Sequence, residues 1–69
     1  MSDHIYKSLE LTGTSGESIE KAVSNAIARA SATVRNIKWF ELGAVRGAVE
    51  NGKVTHWQAT MKIGFTLDD

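Results

Sequence analysis

Residues 4 to 11 alternate, with Ile5, Leu9 and Leu11 on one side and Tyr6, Ser8 and Glu10 on the other. That period of two predicts a short strand. Gly13-Thr14-Ser15-Gly16 is expected to end it. Thr14 and Glu17 have capping-box spacing, with Ser15 an alternative cap. The period then changes. Ile19, Ala22, Val23, Ala26, Ile27, Ala30 and Val34 recur at the three-four spacing of one helical face. A helix from about Ser15 to Arg35 is predicted, near 30 Å long at 1.5 Å per residue. Its stripe is rich in Ala, so a sheet backbone can lie close against it.

Trp39 to Val49 and Lys53 to Leu67 read as two long strands, joined through Asn51-Gly52, a strong hairpin signal. The last strand places Trp57, Ala59, Met61, Ile63, Phe65 and Leu67 on one side, with His56, Gln58, Thr60 and Lys62 opposite. If it pairs with both others, a fully antiparallel sheet in the order 1-3-2 results, and the handedness rule for crossovers does not exclude it. The expected class is α+β: β-α-β-β, with one helix covering one face of a three-stranded antiparallel sheet.

Trp39 and Phe40 are adjacent in a strand, so they face opposite ways. Phe40, followed on its side by Leu42 and Ala44, fits the core. Trp39 shares its side with Glu41 and Gly43 and is left outside. The uncovered face is then expected to carry Tyr6, Trp39, Val45, Gln58 and Thr60, which is too aromatic to be left simply in water. An indole off the core either covers a partner subunit or offers a platform to a flat ligand.

Composition sharpens this picture. The 69 residues, expected to form one domain over 1–69, stand near the lower limit for an unaided core, and there is no Cys for disulfides or thiolate metal sites. Self-association is the expected supplement. Eight basic and eight acidic residues balance, without a block of either sign, which argues against general nucleic-acid binding. Met1-Ser2-Asp3-His4 lacks the apolar stretch of a signal peptide, and no segment has the roughly 20 apolar residues of a membrane span. A soluble, cytoplasmic location is expected.

Catalytic chemistry finds little support. His4 and His56 lack an acid or second histidine at ligand spacing, and no nucleophile-elbow pattern surrounds any Ser. Gly13-Thr14-Ser15-Gly16 resembles a weak anion cradle, but a turn with a helix cap explains it better. The acids are scattered, and Glu41, close to Trp39, is placed to meet a basic group at a subunit seam. The better constellation has three members. Trp39 supplies a flat electron-rich face, Gln58 an amide that donates and accepts at a uracil-like edge, and Arg46 a fork for phosphate or carboxylate. The hairpin, by folding the third strand back along the second, is expected to bring Gln58 and Arg46 near Trp39.

Leu11-Thr12-Gly13-Thr14-Ser15, Ala28-Arg29-Ala30, Trp39-Phe40-Glu41, Val45-Arg46-Gly47 and Gln58-Ala59-Thr60-Met61-Lys62-Ile63-Gly64-Phe65 together resemble the dodecin pattern over nearly the whole chain. The resemblance implies a β-α-β-β subunit whose sheet wraps around the helix, assembled into a hollow homo-dodecamer that binds flavin. It implies that Trp39 stacks on the isoalloxazine ring, with flavin pairs sandwiched between tryptophans of neighbouring subunits. It further implies that Gln58 bonds the pyrimidine edge and that Arg46 serves the phosphate of FMN. Some bacterial members also bind coenzyme A, and Lys7, Arg29, Thr33 and Arg35 occupy matching positions. Thr66 stands where many bacterial relatives have arginine, which bears on phosphate contacts and on the choice between FMN and riboflavin.

The expected role is storage rather than turnover, because paired flavins between indoles leave little room for a substrate. Trp39 is expected to quench the excited ring by electron donation. Two rivals come from other classes. A small tautomerase needs an N-terminal proline, and the chain contains no proline. An interaction protein would spend Trp39 on another subunit.

Overall fold

The computed structural model describes residues 3–67. Met1 and Ser2, half of the polar start, lie outside the described residues. In chain order the elements are β1 (Tyr6–Ser15), α1 (Ile19–Ala30), β2 (Ile37–Glu50) and β3 (Lys53–Thr66). The sheet order is β1-β3-β2, antiparallel throughout, as the alternation predicts. At the hairpin Asn51 and Gly52 have φ of 53° and 75°, the double positive φ that a type I′ turn requires.

Three boundaries differ from expectation, and the first two differences begin at Gly13. The first strand does not stop there. It runs on to Ser15, with Gly13 opposite Ala59 and Thr14 opposite Gln58. Gly13 is needed for room rather than for a turn: a Cβ there would overlap the Ala22 carbonyl oxygen and approach Ala26 Cβ to 2.8 Å. The Ala-rich stripe therefore does lie close on the sheet, and Gly13 is its landing point. We expect Gly13→Ala to destabilise the protein by about 1–3 kcal/mol through overpacking, read as a shift in denaturant midpoint at constant slope.

Because β1 continues, neither Thr14 nor Ser15 caps the helix. Ser18 does, its hydroxyl accepting the Lys21 N–H at 3.0 Å from an extended backbone. Ser15 instead is buried and accepts the Glu17 N–H at 2.9 Å, shaping the turn. The helix also ends earlier than Arg35. The Ser31 hydroxyl donates to the Ile27 carbonyl, Thr33 and Val34 both return N–H groups to Ala30, and the chain leaves as turns. Asn36, at φ 67°, reverses the direction into β2, a conformation Asn tolerates better than most residues. At 12 residues the helix spans about 18 Å, not 30.

The core is small: Ala22, Val23, Ala59, Met61 and Ile63, with Leu11, Ile19, Ala26, Ile27, Ala30 and Ile37 packed around it. The helix rests on β1 and β3 and leaves the matching face of β2 open. Phe40 does face the core side, opposite Ile63, but it is 49% exposed. With Leu42 it walls an apolar groove of about 600 Å³ whose other side is Ile19, Val23 and Ile27. The molecule measures 56 × 20 × 14 Å, with a radius of gyration of 14.4 Å. A compact chain of this length would have about 11 Å. So slender a subunit leaves much of its apolar surface to be covered from outside.

Candidate functional site

Three irregularities in the β2–β3 ladder decide which side chains share a face. Pairing shifts between Ile37 and Trp39, between Leu42 and Ala44, and between Ala48 and Val49. The middle shift leaves Gly43 as an extra residue, and one extra residue reverses the alternation beyond it. Before it, Trp39 stands opposite Gly64 on the outer face and Phe40 opposite Ile63 on the inner one. After it, Val45 stands opposite buried Ala59 and Arg46 opposite Gln58. Val45 therefore belongs to the helix side, not to the outer face expected from simple alternation. The same bulge sets Arg46 beside Gln58, with Thr14 of β1 completing the row.

Trp39 is held at the opposite end. Its indole lies against the backbone of Gly64, so closely that a Cβ there would overlap three atoms of the ring. Tyr6 of β1 flanks it, with ring centroids 6.4 Å apart and planes tilted by 54°. His4 meets Tyr6 edge-on, also at 6.4 Å. Part of the indole is thus packed on the sheet, and the residue remains 40% exposed. Gly64 is the glycine that lets a large ring seat itself without entering the core.

From Gly64 to Gln58 is six residues along β3, or about 20 Å at 3.3 Å per residue. One subunit therefore does not bring the three-membered constellation together, contrary to the expectation from the hairpin. Arg46 and Gln58 are neighbours, and Trp39 stands apart from both. A site using all three takes the polar pair from a different subunit than the indole. Between the two ends, Thr12 and Thr60 share a hydroxyl hydrogen bond of 2.9 Å. Lys62 stands in register between Glu10 and Glu41, so a basic neighbour for Glu41 already exists in its own sheet.

Arg29 and Thr33 line an open cavity of about 820 Å³ beside the β1 edge, together with Thr14 and Asn25. The Asn25 side chain donates to the Thr14 carbonyl at 3.1 Å, tying helix to strand there. Thr33 also borders a smaller cavity of about 230 Å³ with Arg35, Phe65 and Thr66, and so links Arg29 to Arg35. Lys7 lies at the far end of β1, opposite Phe65. The two histidines are also at opposite ends: His4 by Tyr6, and His56 opposite Ala48. Among the described residues, no group of three or more His, Asp or Glu is arranged to hold a metal, and no helix is long and apolar enough to cross a membrane.

Reading the sequence alone missed the seat at Gly64 and the contact of Tyr6 with Trp39. The second was open to inference, since both were assigned to the outer face at the same end of the sheet. The first was not, because nothing local says which residue of β3 will lie beneath the ring.

The chain is thus a small α+β domain with a bulged hairpin, an exposed tryptophan and a separate polar pair. Known proteins share this fold. The Dodecin family model matches residues 5–68. The dodecin of Thermus thermophilus is 40% identical over 65 residues, 94% of each chain. The structure of the dodecin from Streptomyces davaonensis superimposes with a TM-score of 0.94 at 47% identity, covering 99% of this chain and all of that one. That of the Streptomyces coelicolor dodecin gives 0.93 at 48% identity, covering 100% and 99%. The chain belongs to the dodecin family.

Proposed function

We propose that this chain, as one domain over residues 1–69, is a flavin storage and sequestration protein and not an enzyme. The observation that carries the reading is the indole of Trp39, seated on Gly64 outside the core and 40% exposed. Such a platform suits a planar aromatic ligand, and each stacked contact contributes about 1–3 kcal/mol. By family resemblance the ligand is FMN or riboflavin, held as pairs between Trp39 residues of neighbouring subunits in a homo-dodecamer. When bound, flavin supplies the light-absorbing ring; the residues of this chain hold it, and the Trp39 indole serves as the electron donor that quenches it.

The roles of Gln58 and Arg46 follow from their pairing. Neighbours in one row, they offer an amide and a guanidinium side by side, and a second subunit brings them to the first subunit's indole. Gln58 meets the pyrimidine edge and Arg46 the phosphate. The open groove between Phe40 and α1 supports self-association, since it stays uncovered in a lone subunit. A cytoplasmic location is consistent with a binding protein lacking cysteine.

Titrating FMN and riboflavin fluorescence against the purified protein, with molar mass by light scattering, tests this reading. Emission should vanish at one flavin per chain on a particle many subunits large. Arg46→Ala should weaken FMN and leave riboflavin nearly unchanged, because only FMN carries the phosphate. Retained emission at saturating protein would overturn flavin storage. Coenzyme A is the second reading, favoured by Arg29 and Thr33 in the large cavity beside β1. Nucleotide absorbance in the purified protein without flavin would favour it.

A further inference from the structure

Tyr6 has no part in holding a ligand in the reading above, yet its ring touches the indole that does. The centroid separation of 6.4 Å brings the two rings into contact across neighbouring ends of β1 and β2, which are not themselves paired. β3 runs between them, with Tyr6 opposite Thr66 and Trp39 opposite Gly64, which has no side chain to push the indole away. Tyr6 is 50% exposed, so its phenol is open to water. It is also the one tyrosine of the chain. The other tryptophan, Trp57, stands nine positions along β1, opposite Ser15, about 30 Å away within the subunit. An electron-rich phenol therefore leans on an electron-rich indole, and water is at hand to take a proton.

We propose that Tyr6 is a second electron donor that restores Trp39 after the indole has been oxidised. The physiological oxidant, a photoexcited isoalloxazine ring, rests on the function proposed above; the transfer between the two side chains does not. Trp39 gives up one electron and is left as a radical cation. Tyr6 then gives one electron to the indole, which regains its closed shell, while the phenolic proton leaves to water and a tyrosyl radical remains. The tyrosyl radical regains that electron from the one-electron-reduced isoalloxazine and takes its proton back from water, so nothing is consumed. The transfer is downhill at neutral pH because the phenol sheds its proton as it is oxidised. Its use is to move the oxidising equivalent off the ring that binds the ligand.

The transfer is measured in flavin-free protein. Azidyl radicals generated by pulse radiolysis take one electron from indole and become azide. In the wild type the indolyl absorbance should decay in a first-order step, independent of protein concentration, while tyrosyl absorbance rises at the same rate. Tyr6→Phe keeps the ring and its packing but removes the ionisable proton. It should abolish the tyrosyl signal and slow indolyl decay by more than an order of magnitude. Trp39→Phe should remove the coupled rise, and Trp57→Phe should leave it intact. Equal decay in the wild type and Tyr6→Phe overturns the proposal, as does a rise that survives Trp39→Phe or is lost only with Trp57→Phe. Flavin titration of the same proteins is read separately. A tyrosyl rise in a protein that fails to quench FMN supports the relay and removes only the ligand reading.

Discussion

Trp39→Ala should abolish quenching of FMN emission and weaken FMN binding by about 1–3 kcal/mol, roughly tenfold to a hundredfold in Kd. In the arrangement proposed above each flavin touches one indole and one flavin, so the substitution removes one of its two stacking faces. Quenching should fall further than affinity, because the electron donor itself is gone while the flavin–flavin contact survives. The fold should persist. The indole lies outside the core cluster, on the sheet surface, and its removal leaves no internal cavity. Circular dichroism and light scattering on the variant check that point, and fluorescence titration reads the affinity. Unaltered FMN affinity in a correctly assembled variant would refute the stacking role of Trp39.

The element order was legible because three independent signals agreed. Period-two alternation marked the strands, three-four spacing marked the helix, and Asn51-Gly52 marked the hairpin. Each depends on the chain's own backbone geometry and needs no knowledge of distant contacts. Gly13 misled because a glycine before polar residues looks like a turn, whereas here it admits the Ala22–Ala26 face of the helix. That is a tertiary reason, invisible in the local pattern. With the strand running four residues past Leu11, the cap moved from Thr14 or Ser15 to Ser18, and the helix starts later.

The site shows the same division. The outward direction of Trp39 followed from its adjacency to Phe40, and the ladder bears this out. The bulge at Gly43 was not legible, though Gly within a strand is a recognised hint of one. Without it Arg46 would point toward the helix side and Val45 outward, so the polar pair with Gln58 would not exist. The separation of that pair from Trp39 was missed for a different reason. A hairpin says that two strands return alongside each other, but only the register says how far along. Register here separates Gly64 from Gln58 by about 20 Å, so the three residues do not meet within one chain.

Gly64 offers the sharpest test of that geometry. Gly64→Ala adds one methyl group, and in an ordinary strand exchanging Gly for Ala is favourable by about 0.5–1 kcal/mol. Here the methyl group would occupy the volume of the indole, overlapping Cε2, Cζ2 and Nε1 of Trp39. The backbone of β3 is held in the sheet on both sides, by Ser8 and by Trp39, so the ring has to move rather than the strand. In the pocket proposed above, an indole lifted off the sheet is no longer placed to stack on the ligand. FMN binding and quenching should therefore fall nearly as far as in Trp39→Ala, although the tryptophan is still present. The two effects should not add. In a Trp39→Ala background the methyl group meets no ring, so the double variant should bind FMN as the single Trp39→Ala does and be slightly more stable. Additive losses in the double-mutant cycle would mean that Gly64 acts on the ligand directly, or on assembly, and not by seating the indole.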